Sequence, residues 1–221
     1  MWTGTGRIDE TYIDNERAAR ILCDTPLVPA PGQYLLAYAL SEPDSPLAVP
    51  VFRAASHPRG FYAAKPLPVA WTPGTILSLR GPLGHGFHLP ASARRVALVA
   101  LGGNPARLFA LLEPSLNQKA EITLLAESTP VGLPPAIEVL PLTALAETAP
   151  WADYMAIDAP RAALPNVQSL LASSGCPIDI LVETPLPCGG IAECGVCAIT
   201  CRNGVMLACK DGPVFNLKAI L

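Results

Sequence analysis

Cys188, Cys194, Cys197, Cys201 and Cys209 crowd into one short stretch near the end of a 221-residue chain that holds seven cysteines in all. Thiolates at such spacing bind metal. Cys188, Cys194, Cys197 and Cys209 give C-x5-C-x2-C-x11-C, one residue longer in its first gap than the C-x4-C-x2-C spacing that carries a [2Fe–2S] cluster. Such a cluster needs four thiolates around a compact core and backbone N–H groups close to its sulfides. Gly189, Gly190 and Gly195 let the chain wrap that tightly. A structural zinc site is the alternative. It usually shows two C-x2-C knuckles, and the sequence has one. A Rieske centre needs histidine ligands, and His57, His85 and His88 all lie far upstream.

Five cysteines compete for four places, and Asn203-Gly204 offers a way to choose. That pair is a type I′ turn signal between Ala198–Arg202 and Val205–Cys209. A two-residue loop there pairs Arg202 with Val205 and Ala198 with Cys209, which sets Cys209 beside Cys197. Cys201 then lies roughly 13 Å further along the strand at ~3.3 Å per residue, too far for one small cluster. Cys23, Cys176 and Cys201 are read as buried, inert thiols.

The remaining polar residues offer less chemistry. Asp9, Glu10, Asp14 and Glu16 read as a solvated N-terminal face, and His85 and His88 as loop histidines beside a glycine turn. No Ser/His/Asp, P-loop or HExxH pattern is present. Eighteen acidic against fifteen basic residues leave a charge of −3, and no basic run exists, which argues against nucleic acid or an anionic membrane as partner. Charged residues are 15% of the chain and hydrophobic ones 51%, enough apolar material for a real core. No apolar run reaches the ~18 residues of a membrane span. The N-terminus lacks the order of a signal peptide, so the expected location is the cytoplasm, where structural disulfides are disfavoured.

The elements that must position the cysteines fall into three stretches: a barrel over 1–92, an α/β domain over 93–184 and a cysteine module over 185–221. In the first, Ala19–Cys23, Gln33–Ala39, Val49–Ala55, Phe61–Ala64 and Ile76–Arg80 read as strands of a small antiparallel barrel. Next come strands at Val96–Leu101, Glu121–Ala126, Ile137–Leu140, Tyr154–Asp158 and Ile178–Val182. They alternate with a helix capped by Asn104 and running through Leu112, and another around Val167–Ala172. Such alternation predicts a parallel sheet, with Ile178–Val182 as its last strand. The fold class is therefore α+β multidomain.

The order of barrel, α/β domain and cysteine module resembles the electron-transfer subunit of the two-component dihydroorotate dehydrogenases of pyrimidine biosynthesis, within the ferredoxin-reductase superfamily. The residues that carry the resemblance are the cysteine loop, Cys209-Lys-Asp-Gly-Pro-Val-Phe215, Gly81-Pro-Leu-Gly84-His-Gly-Phe87 and Pro31-Gly-Gln33. It implies a barrel that binds FAD, an α/β domain that meets NADH, and a [2Fe–2S] cluster that passes electrons to a flavin-containing catalytic subunit in a hetero-oligomer. For FAD, the matching strand motif is Arg53-Ala54-Ala55-Ser56, with Gly81 and Gly84 on the following turn. The helix that would cradle the pyrophosphate has no counterpart, because Pro58, Pro66, Pro68 and Pro73 break the stretch between Ser56 and Gly81. For the nicotinamide nucleotide, Gly102 and Gly103 remain of the glycine-rich turn, and the family's Cys-Gly-Pro becomes Asp158-Ala159-Pro160. NAD(H) is accordingly not expected to bind, and Arg107 reads as a solvated helix residue.

Two functions follow as expectations. One is an iron–sulfur flavoprotein subunit that relays electrons between a flavin and a partner oxidoreductase. The other is a flavin-free iron–sulfur adapter that binds a redox partner without NADH chemistry. Phe215 is a candidate apolar anchor for that partner or a cap on its own core.

Overall fold

The computed structural model describes residues 1–14, 16–41 and 47–220. Six antiparallel strands close a barrel in the order β1-β2-β5-β4-β3-β6. They are β1 (Trp2–Asp14), β2 (Glu16–Cys23), β3 (Tyr34–Ala39), β4 (Val49–His57), β5 (Gly60–Ala63) and β6 (Ile76–Leu83). After an exposed Ile76, β6 alternates buried and half-buried residues, the period-two pattern of a strand with one face in a core. Ile8, Ile21, Leu35, Val51, Phe61 and Leu77 fill the interior. Closure also leaves no free edge, since β1 pairs with both β2 and β6, which removes a site for edge-to-edge association.

β1 is a strand that the sequence reading did not anticipate. Its consequence falls on the acidic residues there. Arg20 on β2 donates to Asp9 through Nε at 2.8 Å and also reaches Glu10 at 2.9 Å, so this face is an ion-paired hairpin. The side chains of Asp14 and Glu16 lie outside the described residues.

A second sheet has the order β14-β11-β10-β7-β8-β9, with β7 (Arg95–Ala100), β8 (Glu121–Leu125), β9 (Ile137–Leu140), β10 (Tyr154–Pro160) and β11 (Ile178–Glu183) parallel and β14 (Val214–Asn216) at one edge. Its central strands are buried on both faces, as parallel strands between layers must be. Ala97, Val99, Met155 and Ile157 enter one core, and Val96, Leu98, Tyr154 and Ala156 the other. The crossovers use α1 (Leu112–Asn117), α2 (Leu145–Thr148) and α3 (Leu164–Leu171). Among the described residues no helix is long and apolar enough to cross a membrane.

Three expectations need correction. The helix from Asn104 is two 3-10 turns, Pro105–Arg107 and Phe109–Leu111, followed by α1. Pro114 explains the break, because it lacks the N–H that a continuous helix would direct at Ala110 and fits only in a first turn. The cap itself forms, with Asn104 accepting from the Ala106 N–H at 2.9 Å. Ile178–Val182 is not the last strand of the sheet: β14 (Val214–Asn216) returns to pair antiparallel with β11. Phe215 on β14 is buried in its own core and is not available as an anchor.

Between β11 and β14 the chain makes the cysteine loop and a hairpin of β12 (Ala198–Cys201) and β13 (Gly204–Leu207). The hairpin register differs from the expected one: Cys201 pairs with Gly204 and Ala198 with Leu207. A type I′ turn needs positive φ at both central residues, but of Asn203 and Gly204 only the glycine has it, at +117°. The loop is therefore Arg202-Asn203, so the turn moves by one residue and each partner in the ladder by two.

Candidate cysteine centre and the two clefts

The slip leaves the proposed ligands together. The Ala208 N–H donates to the Cys197 carbonyl at 3.0 Å, and the Cys197 and Cys209 sulfurs lie 3.2 Å apart, both buried. The Cys194 and Cys209 thiols both act on the Cys188 thiol, so the four thiols are neighbours. Cys194 is exposed and Cys188 half-buried. Cys201 points elsewhere, its thiol on the Ile199 carbonyl and its backbone bridged to Ile220. Cys23 and Cys176 are also apart, and no disulfide joins any of the seven.

The electrostatics differ from thiol to thiol. Backbone hydrogen bonding at Ala192, then at Gly190, lowers the Cys188 pKa against the opposing effect of burial. Burial first, then the Cys197 and Cys188 thiols, push Cys209 up to about 12. That is how a thiol behaves when it lacks a cation to share its charge. Among the described residues no group of three or more histidine, cysteine, aspartate or glutamate side chains is gathered tightly enough to hold a single metal ion. A [2Fe–2S] core has a different requirement, since its two irons share four thiolates between them. Neighbouring soft donors and a loop turning through Gly189 and Gly190 in left-handed geometry fit such a core.

The flavin motif divides into two halves. Arg53 is half-buried on β4, its Nε without a hydrogen-bond partner among the described residues, and burial lowers its pKa. Ala54 and Ala55 line a 450 Å³ cleft against Phe109, Leu112 and Glu113, while Ser56 is exposed and does not line it. The phosphate end does not fit. Residues 64–75 contain no helix; Leu67 and Trp71 from that segment are buried in the barrel core instead. Gly81 lies inside β6, where a Cβ would approach Leu35 to 2.6 Å.

Gly84 serves the tail. Its φ is +72°, and a Cβ there would lie 2.3 Å from the Gly212 carbonyl oxygen. His85 joins the same contact through Nδ1 and the Asp211 carbonyl, 2.9 Å apart, a loop histidine as expected. Gly84→Ala is expected to cost at least about 1–2 kcal/mol from the left-handed backbone alone, more with the clash, and thermal unfolding would register it. An unchanged Tm would mean that the tail does not pack here.

Gly102 and Gly103 follow β7 and line a 370 Å³ cleft with Lys65, Asn104, Ser128 and Thr129. Beside it, at the carboxyl ends of β7 and β10 where open α/β sheets bind ligands, sits an ion pair the sequence reading missed. Arg107 is not a solvated helix residue. Its Nε and Nη2 donate to the two Asp158 oxygens at 2.8 and 2.6 Å, and Glu183 lies 3.5 Å away. The guanidinium stacks over the Phe52 ring of β4 at 5.4 Å, and Asn104 Nδ2 donates to the Lys65 carbonyl at 3.1 Å. Barrel and sheet are joined at this point.

No family model matches the chain. It is 28% identical over 168 residues to the "probable dihydroorotate dehydrogenase B (NAD(+)), electron transfer subunit" of Pyrococcus furiosus, a match covering 67% of this chain and 64% of that one. Among solved structures, an NADH-dependent reduced ferredoxin-NADP oxidoreductase superposes with a TM-score of 0.78 at 19% identity, over 98% of this chain and 89% of that one. The ferredoxin reductase of carbazole 1,9a-dioxygenase gives 0.67 at 18%, over 81% and 68%. The structural likenesses are of fold: a six-stranded barrel followed by a parallel-sheet domain, as in ferredoxin reductases. The resemblance read from the sequence is thus met by both comparisons. The expectation that NAD(H) does not bind gains no support from them, since the curated relative's own name carries NAD(+).

Proposed function

We propose that this chain, similar as it is to the electron-transfer subunit of a dihydroorotate dehydrogenase, relays electrons to a flavin-containing partner oxidoreductase through a [2Fe–2S] cluster held by Cys188, Cys194, Cys197 and Cys209. The observation that carries the reading is the buried contact of the Cys197 and Cys209 thiols, with Cys188 and Cys194 as neighbours and Cys201 turned away. When bound, such a cluster supplies one-electron transfer, which suits an intermediary between two-electron flavins. The chain's own residues give it a buried side at Cys197 and Cys209 and a surface edge at Cys188 and Cys194, where a partner in a hetero-oligomer would take the electron. A cytoplasmic, reducing location keeps the thiols available for iron.

A second reading is favoured by one observation. With residues 64–75 helix-free and packed into the barrel, the adapter form, which carries no FAD and leaves flavin chemistry to its partner, follows from the phosphate end of the site. Anaerobic purification tests both. Iron and inorganic sulfide in equal amounts, with visible absorption, are expected, and extracted flavin then separates flavoprotein from adapter. Zinc without sulfide would overturn the redox reading.

A further inference from the structure

We propose that the barrel sets the reduction potential of the cysteine centre through Arg80, whose cation is held against the ligand loop, with Tyr34 as a neutral second tether. The inference rests on the reading that the four thiols hold a [2Fe–2S] cluster. Arg80 and Tyr34 stand on the neighbouring strands β6 and β3. Arg80 Nη2 donates to the Cys188 carbonyl at 2.6 Å across 108 residues of sequence. The fully buried Tyr34 hydroxyl donates to the Cys209 carbonyl at 3.2 Å across 175. Both bonds therefore end on ligand residues, one at each end of the cysteine loop.

The contact is close as well as bonded. A Cβ on Gly189 would lie 2.6 Å from Arg80 Nη2 and 2.7 Å from Leu36 Cδ1, so the loop is pressed onto the barrel where the guanidinium stands. Among the described residues no carboxylate pairs with Arg80, and its Nη1 lies 3.7 Å from the Met1 sulfur. Half-buried and without a counter-ion, its charge is only partly screened toward the centre. Reduction adds one electron to the cluster and requires no proton from either residue. A fixed cation favours the more negative, reduced form, so its removal must make the potential more negative. Tyr34 adds position without charge. Outer partners of ligands are a recognised means of tuning metal centres.

Arg80→Gln keeps a hydrogen-bond donor and removes the charge, while Arg80→Lys keeps the charge. The measurement is the midpoint potential by mediated dithionite titration of the anaerobically purified full chain, with iron and sulfide counted in each sample. In Arg80→Gln the reduced-to-oxidised ratio at a fixed potential is expected to fall about tenfold, about 59 mV for one electron, with iron unchanged and Arg80→Lys near the parent. Iron lost from Arg80→Gln and kept in Arg80→Lys would equally support the charge. Parent potentials in both variants, or iron lost from both, would overturn the assignment to charge. A parent protein without iron and sulfide would instead take down the reading beneath it.

Discussion

Arg107→Ala is expected to destabilise the protein by about 3–5 kcal/mol near neutral pH, the usual cost of leaving one half of a buried pair alone. Asp158 is 1% exposed, and its carboxylate receives both arms of the guanidinium. Even so paired, its pKa is raised from 3.8 to about 6, burial outweighing the attraction of Arg107. The sign of the linkage follows. A carboxyl whose folded pKa lies above its unfolded one holds its proton more tightly in the folded state. Its contribution to stability is therefore full below about pH 4 and declines as pH rises toward 6. Without Arg107 the folded pKa rises further, so the variant should lose most stability above pH 7 and recover much of it near pH 5, where Asp158 is protonated. Denaturant unfolding at the two pH values measures this. Asp158→Asn in the Arg107→Ala background should restore part of the loss at pH 7.5. A loss equal at both pH values would show that the lost packing on Phe52, and not the stranded charge, is responsible.

That ion pair was also the least legible feature of the chain. Its members are 51 residues apart in sequence, and an arginine beside a helix start reads as solvent-facing by default. One signal existed: Asp158 closes an otherwise apolar strand segment, Tyr154–Ile157, and an acid in a doubly buried strand requires a cation nearby. The strands of the barrel and of the parallel sheet were legible because alternation and apolar runs are local. β1 was missed for a local reason as well. Gly4 and Gly6 suggest a loop, yet in the barrel they leave room for Leu27 and Leu79, whose methyl carbons would lie 2.8 and 2.6 Å from an added Cβ. β14 was too short to register beside the cysteine run. The tethers from Arg80 and Tyr34 depend on barrel closure, which no spacing rule encodes. The four cysteines proposed as ligands were singled out by composition and spacing, although the turn used to choose among the cysteines formed one residue away from its expected place.

The choice among the cysteines has the largest expected effect on the proposed centre. Cys209→Ser should lose nearly all cluster iron and visible absorption, and Cys201→Ser should keep both. The slipped register makes the distinction sharper. Cys201 pairs with Gly204 next to the hairpin loop, whereas Cys209 lies past the end of the ladder, where Ala208 bonds to Cys197. No one-residue error in pairing would bring Cys201 to Cys197, since both are on one strand segment four positions apart. Cys201 is buried like Cys209, but its thiol bonds to the Ile199 carbonyl, away from the Cys197–Cys209 contact. A serine there buries a hydroxyl and should cost about 1–3 kcal/mol, so a lower Tm with full iron is the expected pattern. In Cys209→Ser the two losses should coincide, because binding energy at a structural centre is also folding energy. Iron measured against Tm in the two variants therefore separates ligand from core residue, and a Cys201→Ser protein without iron would exchange their roles.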